Sequence, residues 1–140
     1  MYEIDFYYFY SIVYLLYQMF LKFLVSMSKK VSIYLNNILV SDDAKLQSTF
    51  FERLFGLMFS KKPAGEKILV FKNAPWIHSF FCFFRFDAVF LDDNFCVTAY
   101  KSNIPPFLIL KPVLNSAYTL ELVNTSFDIK IGDKMYINEH

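Results

Sequence analysis

Hydrophobic and polar positions divide the chain into two unequal parts. From Phe6 to Met27 it carries 22 residues with one charge, Lys22. That length matches the roughly 20 apolar residues with which a helix crosses a bilayer. Within it Tyr7, Tyr10, Ser11, Tyr14, Tyr17, Gln18 and Lys22 recur at steps of three or four and share one helical face. Phe6, Phe9, Ile12, Val13, Leu16, Met19, Phe20, Phe23 and Leu24 form the opposite, wholly apolar face. The pattern predicts an N-terminal hydrophobic helix over 1–28 that spans a membrane. Two other arrangements fit it: a helix lying in the lipid interface, or one packed on the rest of the chain as core. Acidic Glu3 and Asp5 before the segment argue against a cleaved signal. Lys29 and Lys30 after it place the following domain on the cytoplasmic side by the positive-inside bias.

Residues 29–140 read as one small, mainly β domain. Val31 to Val40 is β-rich around Asn36-Asn37, which predicts two short strands about a turn or one bulged strand. Thr49 with Glu52 three residues on is a capping box, and Gly56 is a left-handed stop, so a short helix is expected over Phe50 to Phe55. Ile68 to Lys72 is a strand. Trp76 to Asp92 is almost continuously apolar and predicts two buried strands bent near Arg85. Asp92-Asp93-Asn94 turns into a partner strand over Phe95 to Lys101, and Pro105 and Pro106 impose an extended loop. Phe107 to Leu110, Tyr118 to Val123, Asp128 to Ile131 and Lys134 to Ile137 complete the strand candidates. The fold class expected is α+β, mainly β: a small antiparallel sheet or partly closed barrel with one short helix, behind the N-terminal helix.

Charge narrows the partners. Fourteen Lys+Arg against thirteen Asp+Glu leave a net charge of +1. That lacks the basic surplus with which nucleic-acid proteins displace counterions, so no nucleic acid is expected. Cys82 and Cys96 are too few for a secreted disulfide framework, and a reducing compartment fits them.

Four blocks carry a resemblance. Glu52–Phe59, Ile77–Phe81, Asp87–Asp92 and Ile129–Asp133 resemble, in order, the motifs of prokaryotic domain-of-unknown-function family 192, also called uncharacterised protein family 0127. The resemblance runs from about Val31 to Ile137. It implies a small, mainly β domain with a short helix and no assigned activity, in a family some of whose members carry an N-terminal signal or anchor and face outward. The chain departs from the pattern at Cys82, where the family has Met, and near Arg85, where it has Pro. A third departure is Leu122-Val123-Asn124-Thr125, where the family has a Leu-Pro-Ala-Gly turn.

Common chemistries are absent from the letters. Glycines stand only at 56, 65 and 132, so neither a phosphate-cradling loop nor a dinucleotide fingerprint is present. The zinc-ligand inventory is His78, His140, Cys82 and Cys96, none in paired spacing, and no metal or cofactor is expected. On one strand His78 and Cys82 would stand about 13 Å apart, too far for a nucleophile and its base. His78, Ser79 and Asp87 interrupt the most apolar stretch and, with Trp76 and Arg53, are the candidate binding residues. The structural alternative pairs Asp87 with Arg53 or Arg85, or sets it on backbone amides, and makes His78 a satisfied core or edge residue. The function expected is that of a noncatalytic, membrane-anchored binding or assembly module contacting a protein or small ligand. A hydrolase-like enzyme using Asp87 and His78 as acid and base, and an interfacial lipid-binding protein, are the alternatives.

Overall fold

A computed structural model describes residues 6–140; Glu3 and Asp5 lie outside the described residues, as do the side chains of Phe6, Lys22 and 24–27. Helix α1 (Phe6–Met27) leads directly into strand β1 (Lys29–Leu35). Asn36 and Asn37, both at positive φ, turn the chain back into β2 (Ile38–Gln47). That pair of left-handed residues is the turn whose twist suits a two-residue hairpin. Helix α2 (Phe50–Phe55) has the full capping box: Thr49 Oγ1 accepts from the Glu52 amide at 3.2 Å, and Glu52 Oε2 accepts from the Thr49 amide at 2.8 Å. After it come β3 (Lys67–Lys72), β4 (Phe86–Leu91), β5 (Val97–Ile104), β6 (Tyr118–Val123) and β7 (Met135–Glu139).

The seven strands form one mixed sheet in the order β5-β4-β6-β3-β2-β1-β7. It is not purely antiparallel, because β2 and β3 pair in parallel. Parallel neighbours need a long crossover, here the link through α2, whereas the antiparallel expectation extrapolated from short turns. The sheet is not closed. Its outer strands approach at one end only, where Cys96 and Lys134 form an isolated bridge and the Val97 amide donates to the Asp133 carbonyl at 2.8 Å. Both faces are buried. Ile68 and Val70 of β3 join Val31, Ile33, Leu46, Leu120 and Met135 on one side. Leu69 and Phe71 join Leu57, Ile77, Phe84, Phe90 and Val123 on the other, beneath α2 and the segment before β4.

Several expected strands are irregular. In the run from Trp76 to Asp92 only Phe86–Leu91 is a strand. Ahead of it Phe81 takes a positive φ of 54° and the Cys82 amide returns to the Ser79 carbonyl, so Ile77, Ser79, Cys82 and Phe84 are buried without a ladder. Of Phe107 to Leu110 only Ile109 bridges, to His78. Asp128 to Ile131 is not a strand but leads into a turn at 131–132, across which the Lys130 amide donates to Asp133 Oδ2 at 2.8 Å. Positive φ also occurs at Asn73, Asn103, Asn115 and Asn124, and at Phe59, Phe95 and Phe107. Asparagine tolerates this left-handed region better than most L-residues, and glycine is scarce here.

The membrane expectation is overturned. Among the described residues no helix is long and apolar enough to cross a membrane, so the single-pass placement through residues 6–27, with its cytoplasmic domain, falls. Tyr7, Tyr8, Tyr10, Tyr14 and Tyr17, with Ser11 and Gln18, put polar atoms through the run, and length alone overstated its apolarity. α1 instead meets α2 and the turn after it through aromatic edges: the Tyr17 ring lies 5.7 Å from Phe55 and 4.9 Å from Phe59, and Phe20 lies 6.1 Å from Phe51 and from Phe55. Phe9, Ile12, Leu16 and Met19 are exposed.

Candidate functional site

The site begins with one carboxyl. Alternation along β6 puts Thr119, Glu121 and Val123 on the face beneath α2, and the cross-strand partners of Glu121 are Leu69 on β3 and Ala88 on β4. Between two apolar neighbours the side chain is cut off from water, with 8% exposed, and Oε2 has no hydrogen-bond partner. Burial pushes its pKa up to about 8, opposed by the charge of Lys67. At neutral pH it is therefore a neutral carboxyl, able to donate as well as accept. Lys67 is itself lowered, mainly by burial and then by Lys45.

Gly56 closes α2 directly over this group. Its φ is +31°, a backbone conformation that favours glycine, and a Cβ there would stand in contact with Glu121 Oε2 and the Phe71 ring, 3.4 Å from each. The segment after Pro75 supplies the opposite wall. His78 is fixed by its backbone bridge to Ile109, while its Nδ1 is buried without a partner. Trp76, 64% exposed, stands at the rim. Arg53, on the last turn of α2, reaches the Lys72 carbonyl at 3.4 Å. These groups line a cavity of 80 Å³ with Leu57, Thr119 and Glu121. Thr119 Oγ1 is already committed, donating to the Ala74 carbonyl at 2.7 Å. Two of the lining residues, His78 and Glu121, thus each carry a buried polar atom without a partner, at a cost of about 1–3 kcal/mol apiece.

Three of the five candidate residues, Arg53, Trp76 and His78, meet at this cavity. Ser79 does not. Its hydroxyl donates to the Pro105 carbonyl at 2.6 Å and accepts from the Leu108 amide at 2.8 Å, tying the 105–108 loop to the segment before β4. Asp87 lines a separate cavity of 110 Å³ with Arg85, Asn103 and Asn124. Its carboxylate accepts from the Tyr100 hydroxyl at 2.6 Å and the Asn103 amide at 2.7 Å. No arginine pairs with it; Arg85 donates to the Asn103 carbonyl at 3.1 Å. Burial, then the bond to Asp87, raises the Tyr100 hydroxyl to about 12. Cys82 is a buried free thiol turned to the Phe84 carbonyl. Among the described residues no group of three His, Cys, Asp or Glu side chains is placed to hold a metal ion.

Glu121 escaped the reading of the sequence. In Tyr118-Thr119-Leu120-Glu121-Leu122-Val123 strict alternation pairs Thr with Glu, the signature of a strand with one solvated face. Only the cover supplied by α2 and the 73–84 segment makes that face interior.

Comparison with known proteins bears on the family and the fold. The model of family DUF192, described as an uncharacterised family, matches residues 34–137. No curated protein matches. Two solved structures are similar. One, from Novosphingobium aromaticivorans DSM 12444 and described as of unknown function, has a TM-score of 0.63 at 20% identity, covering 78% of this chain and 84% of that one. The other, from Sinorhizobium meliloti 1021 and described as a proposed transcription regulator, has a TM-score of 0.59 at 17% identity, covering 79% of this chain and 93% of that one. At these identities the likeness is one of fold.

Proposed function

We propose, from the premise that the chain belongs to the uncharacterised family DUF192, that it is a noncatalytic binding module whose small ligand enters the cavity between Gly56, His78 and Glu121. The observation that carries this is that two residues lining one cavity, Glu121 and His78, each keep a buried polar atom without a partner, beside Arg53 and Trp76. A folded chain retains such costs where a bound group offsets them, and a few convergent polar atoms in an apolar hollow are the usual form of a small-molecule site. The hydrolase alternative has less behind it. Asp87 and His78 line different cavities, and both Asp87 oxygens are engaged, so no acid/base pair is assembled. The regulator description of one structural neighbour does not transfer at 17% identity, and a net charge of +1 gives no electrostatic footprint for nucleic acid.

The test is a fragment titration followed by amide NMR. Binding fragments are expected to shift Gly56, His78 and Thr119–Leu122 together. Trp76→Ala, at an exposed position, should weaken them several-fold without unfolding the domain, and Gly56→Ala should abolish them by filling the space over Glu121. Shifts that scatter over the surface, or that persist unchanged in Trp76→Ala, would overturn the reading.

A further inference from the structure

We propose that α1 pairs with α1 of a second copy of this chain, through the apolar face that it turns away from its own domain. Phe9, Ile12, Leu16, Met19 and Phe23 follow steps of three, four, three and four, the a and d spacing of a two-stranded coiled-coil seam. All five lie within the helix, and each is between 54% and 65% exposed. The domain holds α1 from a different side, where Tyr17 and Phe20 meet Phe51, Phe55 and Phe59. At 3.6 residues per turn Tyr17 points roughly 120° away from the middle of the seam. Docking of the helix on its own chain therefore leaves the seam uncovered.

Area and charge select the occupant. Tyr8, Val13, Leu15 and Phe20 flank the seam and are exposed with it. Taking about 200 Å² for a large side chain, these residues and the seam leave on the order of 1,000 Å² of largely apolar surface in water on each copy. A stable pair of proteins covers about 800 Å² per partner, and the largest apolar patch on a monomer is ordinarily about 300–600 Å². Two copies related by a two-fold axis set the same residues against one another, so the seam has to complement only itself. It does so, because neither the seam nor its flanks carry a charge to repel its like or to select a different partner. Two heptads pair weakly as free peptides, but α1 is already held by its aromatic contacts to α2 and the turn after it, so less ordering entropy is lost on association. Lipid is the competing cover. A helix lying in the lipid interface carries Lys and Arg along its polar face, whereas this face has Tyr7, Tyr10, Ser11, Tyr14, Tyr17 and Gln18 with Lys22 its one cation.

The experiment is sedimentation equilibrium of the full chain at micromolar concentrations, with flotation on phosphatidylcholine vesicles alongside. The chain is expected to sediment at twice its own mass. Leu16→Glu and Ile12→Glu each bring two carboxylates into the paired seam, one from each copy, and should weaken the dimer by about a hundredfold or more. Both positions are exposed in the single chain, so circular dichroism should show each variant still folded. Ser11→Glu adds the same charge to the tyrosine-bearing face and should leave the dimer unchanged. A monomeric parent chain would overturn the proposal, and flotation of that monomer with the vesicles would assign the seam to lipid. A dimer that survives both seam variants, or that Ser11→Glu breaks equally, would place the contact elsewhere and overturn it as well. If one seam variant loses its fold the other decides; loss of fold in both would make these side chains core, against the proposal.

Discussion

Glu121 makes folding itself sensitive to pH. Its pKa is about 8 in the folded chain against 4.5 for the free group, so folding takes up a proton between those values. The stability it permits is fully present below pH 4.5 and is lost as pH rises through 8, where the buried side chain must ionise. At about 1.4 kcal/mol per pKa unit the swing is on the order of a few kcal/mol. Thermal melts of the intact protein and of Glu121→Gln should therefore nearly coincide at pH 5 and separate by pH 9, with the variant more stable; melts that stay parallel would place the carboxyl in contact with water. Nothing in the local sequence announced this residue. Alternation alone suits Thr119 and Glu121 to a solvated face, and only tertiary cover makes that face interior. Arg53, Trp76 and His78 were legible because each stands out from its surroundings as a charge on a capped helix, a lone indole or a polar break in an apolar run.

Elements differ in how far their own residues specify them. α2 and the β1–β2 hairpin were readable because their signals are local: a hydroxyl and a carboxylate three residues apart, and two asparagines that accept a left-handed backbone. The stretch from Trp76 to Arg85 was not, since an apolar run reports burial without reporting a ladder partner. α1 was legible as a helix and misread as a membrane span, because length and a single charge were given more weight than the tyrosine-bearing face. Its attachment is correspondingly light, made by Tyr17 and Phe20 against Phe51, Phe55 and Phe59. A chain beginning at Ser28 should keep its fold and lose only a few degrees of melting temperature, as read by circular dichroism. Loss of cooperative melting in that truncation would make α1 part of the core.

For the whole molecule, the decisive arrangement is a single sheet buried on both faces. β3, β4 and β6 contribute to both cores through alternate side chains, so neither core can open without disturbing the other, and melting should be one transition. Such a centre leaves strain to collect at the periphery, in the turns where asparagine holds a left-handed backbone. Asn73, Asn103 and Asn115 are exposed, and among the described residues none of their side-chain amides makes a hydrogen bond, although the Asn103 backbone is held by Asp87 and Arg85. Glycine removes the Cβ clash at such positions and costs some freedom of the unfolded chain, a net gain on the order of 0.5 kcal/mol per site. The triple glycine variant should melt several degrees higher with its cavity untouched. A sequence so poor in glycine thus carries an unused reserve of heat tolerance, reachable from the rim of the molecule without altering one interior atom.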